Sequence, residues 1–164
     1  LIDDITGDFY KIKQTLSEFF DHNNYIFRKN GNKVIVRSEN YSDRYLKNGV
    51  VVSNKEYIPL KNGDEFPAFV RVNATRHVGN NNIPLNIDEV EEWVKNKAKG
   101  FELSDIEVVD EGVLRAAKNV HRITLHSYNV FAVFTVVDVE KANETMGKGI
   151  GREKRFGFGM IDKM

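Results

Sequence analysis

The sequence predicts an α+β protein made of two tandem ferredoxin-like (βαββαβ) domains, the first with a shortened first strand and a reduced second helix. Three observations carry that expectation. A run of helical period near the N-terminus leads into a hairpin-like pair; a second such run in the later half leads into strand-like segments; and a short helix, a glycine-rich turn and an alternating segment close the chain. A chain of 164 residues with 41% apolar content can bury a core and fits one ordinary domain or two very small ones. We place the two at residues 1–62 and 63–164.

The elements follow in order. Thr6 caps a helix over about residues 7–20, because Phe9, Ile12, Leu16, Phe19 and Phe20 recur at three- and four-residue steps. Tyr25 and Phe27, then Val34 and Val36, flank the turn-rich Lys29-Asn30-Gly31-Asn32 and read as a hairpin. Val50 to Ile58 supplies a further strand, after an irregular piece around Tyr41 to Lys47. In the second half, Phe66, Ala68, Val70 and Val72 alternate as a strand, and Asn80 to Pro84 reads as a loop. Asn86 or Asp88 then caps a helix with Val90, Trp93, Val94 and Lys97, stopped at Gly100. Ile106 to Leu114, Val120 to His126 and Tyr128 to Val137 are strand-like, and Tyr128, Phe131, Phe134 and Trp93 are expected in the core. A short helix over about residues 139–146 precedes the glycines, and Phe156, Phe158 and Met160 alternate as a last strand.

Composition excludes several classes. There is no apolar run of membrane-spanning length and no basic-then-apolar leader at the N-terminus, so an unexported, cytoplasmic protein is expected. The first residue is Leu, which suggests that the numbering begins inside a longer gene product. Without cysteine there is neither a disulfide framework nor a thiolate metal site, and His22, His77, His121 and His126 are too scattered to make one. Net charge is zero, yet no acidic residue occurs from Gly112 to Val137, where Arg115, Lys118, His121, Arg122 and His126 fall. Lys148, Arg152, Lys154 and Arg155 form a second basic cluster, while acids gather at 88–92 and 102–111. That segregation fits one face meeting phosphates, or simply a mixed solvated surface.

The stretch from Gly147 to Gly159 holds five glycines and four of those cations. It is neither a Walker loop nor a dinucleotide fingerprint, because it follows a helix and enters a strand. Glycines there permit positive φ, turn amides outward and let a phosphate backbone approach, with Gly149 and Gly151 at the centre. A tight helix stop followed by a bulge explains the same residues.

This run resembles the glycine-rich signature of the repeat-associated RNA-binding superfamily of CRISPR systems. More narrowly, it is similar to the CasE type of repeat-cleaving endoribonuclease that supplies guide RNA to the Cascade complex. Asp8 to Gln14, Phe69 to Thr75 and the Val94-to-Phe101 helix end resemble that type in the same order. The resemblance implies two ferredoxin-like domains, binding of a CRISPR repeat RNA hairpin, and cutting without metal or cofactor by attack of a ribose 2′-oxygen on the adjacent phosphate. It implies Cascade-type subunits as further partners and no membrane. It assigns catalysis to Tyr10 and Lys13, the latter standing where the type has histidine. A lysine side chain is a poor base at neutral pH, its ordinary pKa being about 10.4, and stabilises charge more easily than it removes a proton. RNA is expected to be held by Arg115, Lys118 and Arg122 together with Lys148, Gly149, Gly151, Arg152, Lys154 and Arg155. A binding subunit that grips RNA without cutting it is the alternative.

Overall fold

The structure is a computed structural model that describes residues 9–20, 24–31, 33–39, 55–118 and 121–164. Helix α1 (Phe9–Phe20) buries Ile12, Leu16 and Phe20 at four-residue steps against Phe27 of β1 (Tyr25–Asn30) and Val34 of β2 (Lys33–Ser38). The hairpin is antiparallel, from Tyr25 opposite Ser38 to Asn30 opposite Lys33. Tyr25 locks it to the helix, its hydroxyl donating to the Lys13 carbonyl at 3.1 Å. Alternation then sends Ile26, Arg28 and Arg37 to the other face, where they meet the second unit. Arg28 pairs with Asp162, and Arg37 donates to the carbonyls of Met146 and Ile161.

The second unit runs β3 (Glu65–Val72), β4 (Thr75–Val78), β5 (Asn81–Pro84), α2 (Ile87–Lys97), β6 (Phe101–Lys118), β7 (His121–Val136), α3 (Val139–Lys148) and β8 (Ile161–Lys163). Leaving aside the small β4–β5 hairpin, this is a complete βαββαβ series. Its antiparallel sheet has the order β6-β7-β3-β8, which puts the first and third strands of the series at the centre. Asn86 begins α2 with a capping box, its side chain accepting from the Glu89 amide while Glu89 accepts from the Asn86 amide. Asp138 caps α3. Ala68, Val70 and Val72 of β3 and Val130 and Phe134 of β7 face both helices, meeting Val90 and Val94 of α2 and Ala142 and Met146 of α3. Phe66 stacks on Phe134 at 6.1 Å and Phe101 meets its edge at 5.4 Å, an aromatic triad that anchors one end of this core. The fold is therefore α+β of the tandem ferredoxin-like class, and no described helix is long and apolar enough to cross a membrane.

The structure corrects the expected elements in five places. Ile106 to Leu114 belongs to one 18-residue strand, and the two later runs fuse into one strand of 16 residues. Polar residues do not break this ladder because much of it is an exposed two-stranded ribbon; it absorbs irregular geometry at shifts between Ser104 and Glu107 and between Asp110 and Gly112. Asn81 to Pro84 is a strand paired with Thr75 to Val78, hidden from pattern reading because all four of its residues are exposed. Residues 55–58 are not a strand: Ile58 is 80% exposed, and Tyr57 and Leu60 are tethered to Asn143 of α3. The remainder of the expected Val50 to Ile58 strand, the Thr6 cap and the piece around Tyr41 to Lys47 lie outside the described residues. Phe156, Phe158 and Met160 are all buried but not in a strand; a 3-10 turn (Lys154–Phe156) and Gly157 precede β8. Finally, Phe131 lies on the sheet face away from α2 and α3, paired with Phe69, whereas Tyr128 and Phe134 are core as expected.

Candidate nucleic-acid interface

The glycine segment is built by backbone closing on backbone. The Gly149 amide ends α3 by donating to Thr145, the Ile150 amide donates to the Gly159 carbonyl at 2.8 Å, and the Gly159 amide donates to the Arg71 carbonyl at 2.7 Å. Gly159 has φ of 81°, and a Cβ there would stand 2.1 Å from the Ile150 carbonyl oxygen. These amides point into the protein, which corrects the expectation that they face outward; the helix-stop reading accounts for Gly149 and Gly159. Gly151 lies against the Trp93 ring, so α2 supports the loop from beneath. Trp93 is half-buried at the edge of the core, and its part in seating the loop has no signal in the sequence.

What the loop presents is the 3-10 turn. Phe156 and Phe158 bury against Leu114 of β6 and Leu125 of β7, and the turn also packs on α1 and β1. One short basic segment is thus wedged between the helix that carries Lys13 and the outer part of the β6–β7 ribbon. Lys154 is half-buried there and has no acidic partner among the described residues. Burial, and then the charge of Lys148, lowers its pKa. Arg155 is exposed, with its guanidinium 5.3 Å from the Phe156 ring centre and 3.6 Å from Glu153. Arg152 is exposed. Lys148 points along α3 to Glu144, whose hydrogen bond raises the lysine's pKa.

The ribbon contributes at its far end. Arg115, Lys118 and Arg122 all fall within the last four register pairs, from Arg115 opposite Thr124 to Lys118 opposite His121. Strand alternation puts exposed Arg115 on the face opposite Leu114, away from the glycine segment. Tyr10 and Lys13 both lie in α1, with Lys13 half-buried.

The acid-free segment is not free of acids in space. His126 Nε2 is 2.7 Å from Asp110 Oδ1 and its ring stacks on Tyr128 at 4.7 Å, while its amide donates to Asn73. Burial tends to raise the Asp110 carboxyl, but the Gly112 amide and His126 outweigh it and hold the group below its ordinary value. His77 bonds Asn82 in the β4–β5 hairpin, and His22 lies outside the described residues. Among the described residues, no group of three His, Cys, Asp or Glu side chains is placed to hold a metal ion.

The frame is of the tandem ferredoxin-like class, with a basic turn pinned between a helix and a ribbon, and the comparisons narrow it. The chain matches the family model described as CRISPR associated protein over residues 10–162 and belongs to that family. No curated protein matches the chain in sequence. The fold is that of a CRISPR endoribonuclease Cse3 bound to a 19-nucleotide RNA, with a TM-score of 0.83 and 18% identity over 96% of this chain and 90% of that one. The CRISPR-associated protein Cas6e from Escherichia coli K-12 is similar at a TM-score of 0.82 and 18% identity, over 98% of this chain and 93% of that one. Cse3 of Thermus thermophilus, bound to an RNA representing a pre-cleavage complex, is similar at 0.82 and 19% identity, over 96% and 89%.

Proposed function

We propose that this protein binds the hairpin of a CRISPR repeat RNA and cuts it to guide RNA. The ribose 2′-oxygen attacks the adjacent phosphorus, the bond to the 5′-oxygen breaks, and a cyclic phosphate and a 5′-hydroxyl result. The observation that carries the reading is Lys154, a half-buried cation lacking an acidic partner among the described residues, on a turn held between α1 and the ribbon. Such a charge costs stability until an anion meets it, and an RNA phosphate is an anion that reaches it from outside. Arg152, Lys154 and Arg155 grip the phosphates nearest α1, with Gly149 and Gly151 shaping the turn. Lys148, Arg115, Lys118 and Arg122 extend the grip along the hairpin. Tyr10 and Lys13, three residues apart on one helix, act at the scissile phosphate, Lys13 by stabilising the charge that builds on it. The solved Cse3 structures bound to RNA support this reading.

Lysine at position 13, where the CasE type has histidine, favours a second reading: a subunit that holds the hairpin and cuts slowly or not at all. Labelled hairpin RNA incubated with the protein in EDTA decides between them. Cleavage by the parent supports the nuclease; cleavage gained only by Lys13→His supports the binding subunit; binding that does not weaken with added salt overturns both. Similarity to a chain of a CRISPR RNA-guided surveillance complex supports other Cascade-type subunits as partners. A cytoplasmic location and a division between residues 62 and 63 belong to the same proposal. Leu60, buried in the second core, would then be a strap from the first unit into the second.

A further inference from the structure

The pair formed by Arg71 and Glu111 sits where the sheet gives way to the ribbon. β3 pairs with β7 only as far as Val72 opposite Tyr128, so from Gly112 and Ser127 outward β6 and β7 run on as two strands alone. The register shifts at that level: Asp110 faces Tyr128 and Gly112 faces Ser127, which leaves Glu111 as the extra residue of a bulge. A two-stranded ribbon is barely stable by itself, and a bulge bends the strand that carries it, so contacts at this level decide which way the ribbon runs.

Three strands are tied there. The Arg71 guanidinium meets the Glu111 carboxylate at two points, Nε 3.0 Å from Oε2 and Nη2 3.1 Å from Oε1, and the buried Ser127 hydroxyl donates to the same carboxylate at 2.6 Å. Beside it, Asp110 accepts from the Gly112 amide and the Asn73 side chain accepts from the His126 amide. The Arg71 and Glu111 side chains are 24% and 25% exposed, and a two-point contact fixes angle as well as distance. The apolar contact of Phe156 and Phe158 with Leu114 and Leu125 has no such direction. Arg71 also reaches the glycine segment, because its carbonyl accepts from the Gly159 amide at 2.7 Å. One residue of β3 therefore holds the end of the glycine segment through its backbone and the root of the ribbon through its side chain.

We propose that Arg71 and Glu111 are positioning residues for RNA binding: their pair fixes the angle of the β6–β7 ribbon against the basic turn, so that ribbon and turn meet one hairpin at once. The proposal rests on the hairpin-binding reading, and its test separates the two. The chain has no cysteine, so Thr124→Cys on the ribbon and Asn96→Cys on α2, both exposed positions, carry spin labels whose distance distribution is read by pulsed EPR in the free protein. Arg71→Met and Glu111→Ala break the pair from either side. Phe101→Leu, in the aromatic cluster at the far end of the sheet, lowers stability without touching it. The Kd for hairpin RNA is measured on unlabelled proteins at a temperature where thermal unfolding shows all of them folded. Both pair variants should broaden the distribution and weaken hairpin binding roughly 10-fold, because ordering the ribbon then becomes part of the binding step. Phe101→Leu should leave both readings as in the parent. An unchanged distribution in the pair variants overturns the proposal, since packing alone would then hold the ribbon. Broadening with Kd unchanged overturns it too, as does Phe101→Leu matching the pair variants in both readings. Failure of the parent to bind the hairpin overturns the proposed function instead; broadening confined to the pair variants would still support their hold on the ribbon.

Discussion

Replacing Lys154 with methionine sets binding against stability. Methionine keeps the length and apolar stem of the side chain but removes a charge that the folded protein half-buries without an acidic partner among the described residues. Burial followed by the charge of Lys148 lowers the pKa of this lysine from its ordinary 10.5. The unfolded chain therefore holds the proton more tightly than the folded one, and the charge costs folding stability at neutral pH. That cost fades as pH rises through the folded value toward 10.5. Solvent screens a half-exposed group, so relief of the cost is at most about 1 kcal/mol, or a rise in Tm of about 2–4 °C. Binding should move the other way. A lost charge-assisted contact to phosphate costs roughly 1.5–3 kcal/mol, about 10- to 100-fold in Kd, and lowers the salt slope by about 1. Thermal unfolding from pH 7 to 10 and filter binding of hairpin RNA across a salt series read both arms. A Tm that falls with Kd and salt slope unchanged would show that Lys154 is a packing residue, and the reasoning would be wrong.

Other outcomes follow from the same structure. Gly159→Ala should cost about 3 kcal/mol in denaturant unfolding, because positive φ and the facing Ile150 carbonyl leave no room for a Cβ. Gly147→Ala, in α3 with nothing near its added Cβ, should be neutral or stabilising by roughly 0.5–1 kcal/mol, so equal effects at the two sites would refute the role assigned to the crossing. At Glu111, burial tends to raise the carboxyl, but hydrogen bonds from Ser127 and Arg71 and the arginine's charge outweigh it and lower the value below the ordinary 4.5. Its stabilisation is fully present above that pH and lost as pH falls through the folded value. Glu111→Gln should therefore narrow the gap in Tm to the parent between pH 6 and pH 3; a constant gap would count against this linkage.

Periodicity made much of the scaffold legible. The stripe of Ile12 and Leu16, the cap at Asn86, and the inward row Ala68, Val70 and Val72 lie where their spacing puts them. Local pattern failed where burial did not enforce it, in the exposed β4–β5 hairpin and the continuous β6–β7 ribbon, and where burial imitated it, in a C-terminal run whose alternating buried aromatics pack around a 3-10 turn. Site composition was legible too, since the basic residues and glycines stand out in the chain itself. Their arrangement was not.

By itself, the amino-acid sequence determined which faces are apolar, where helices begin, and that cations cluster near the C-terminus, because these depend on neighbours a few residues apart. Only the tertiary structure decided that the glycines close on Arg71 and Ile150, that Trp93 seats the loop, that Arg115 lies on the ribbon face away from the glycine segment, and that Arg28 meets Asp162. Those contacts join residues far apart in the chain, and their geometry is set by how the two units pack, which no local spacing encodes.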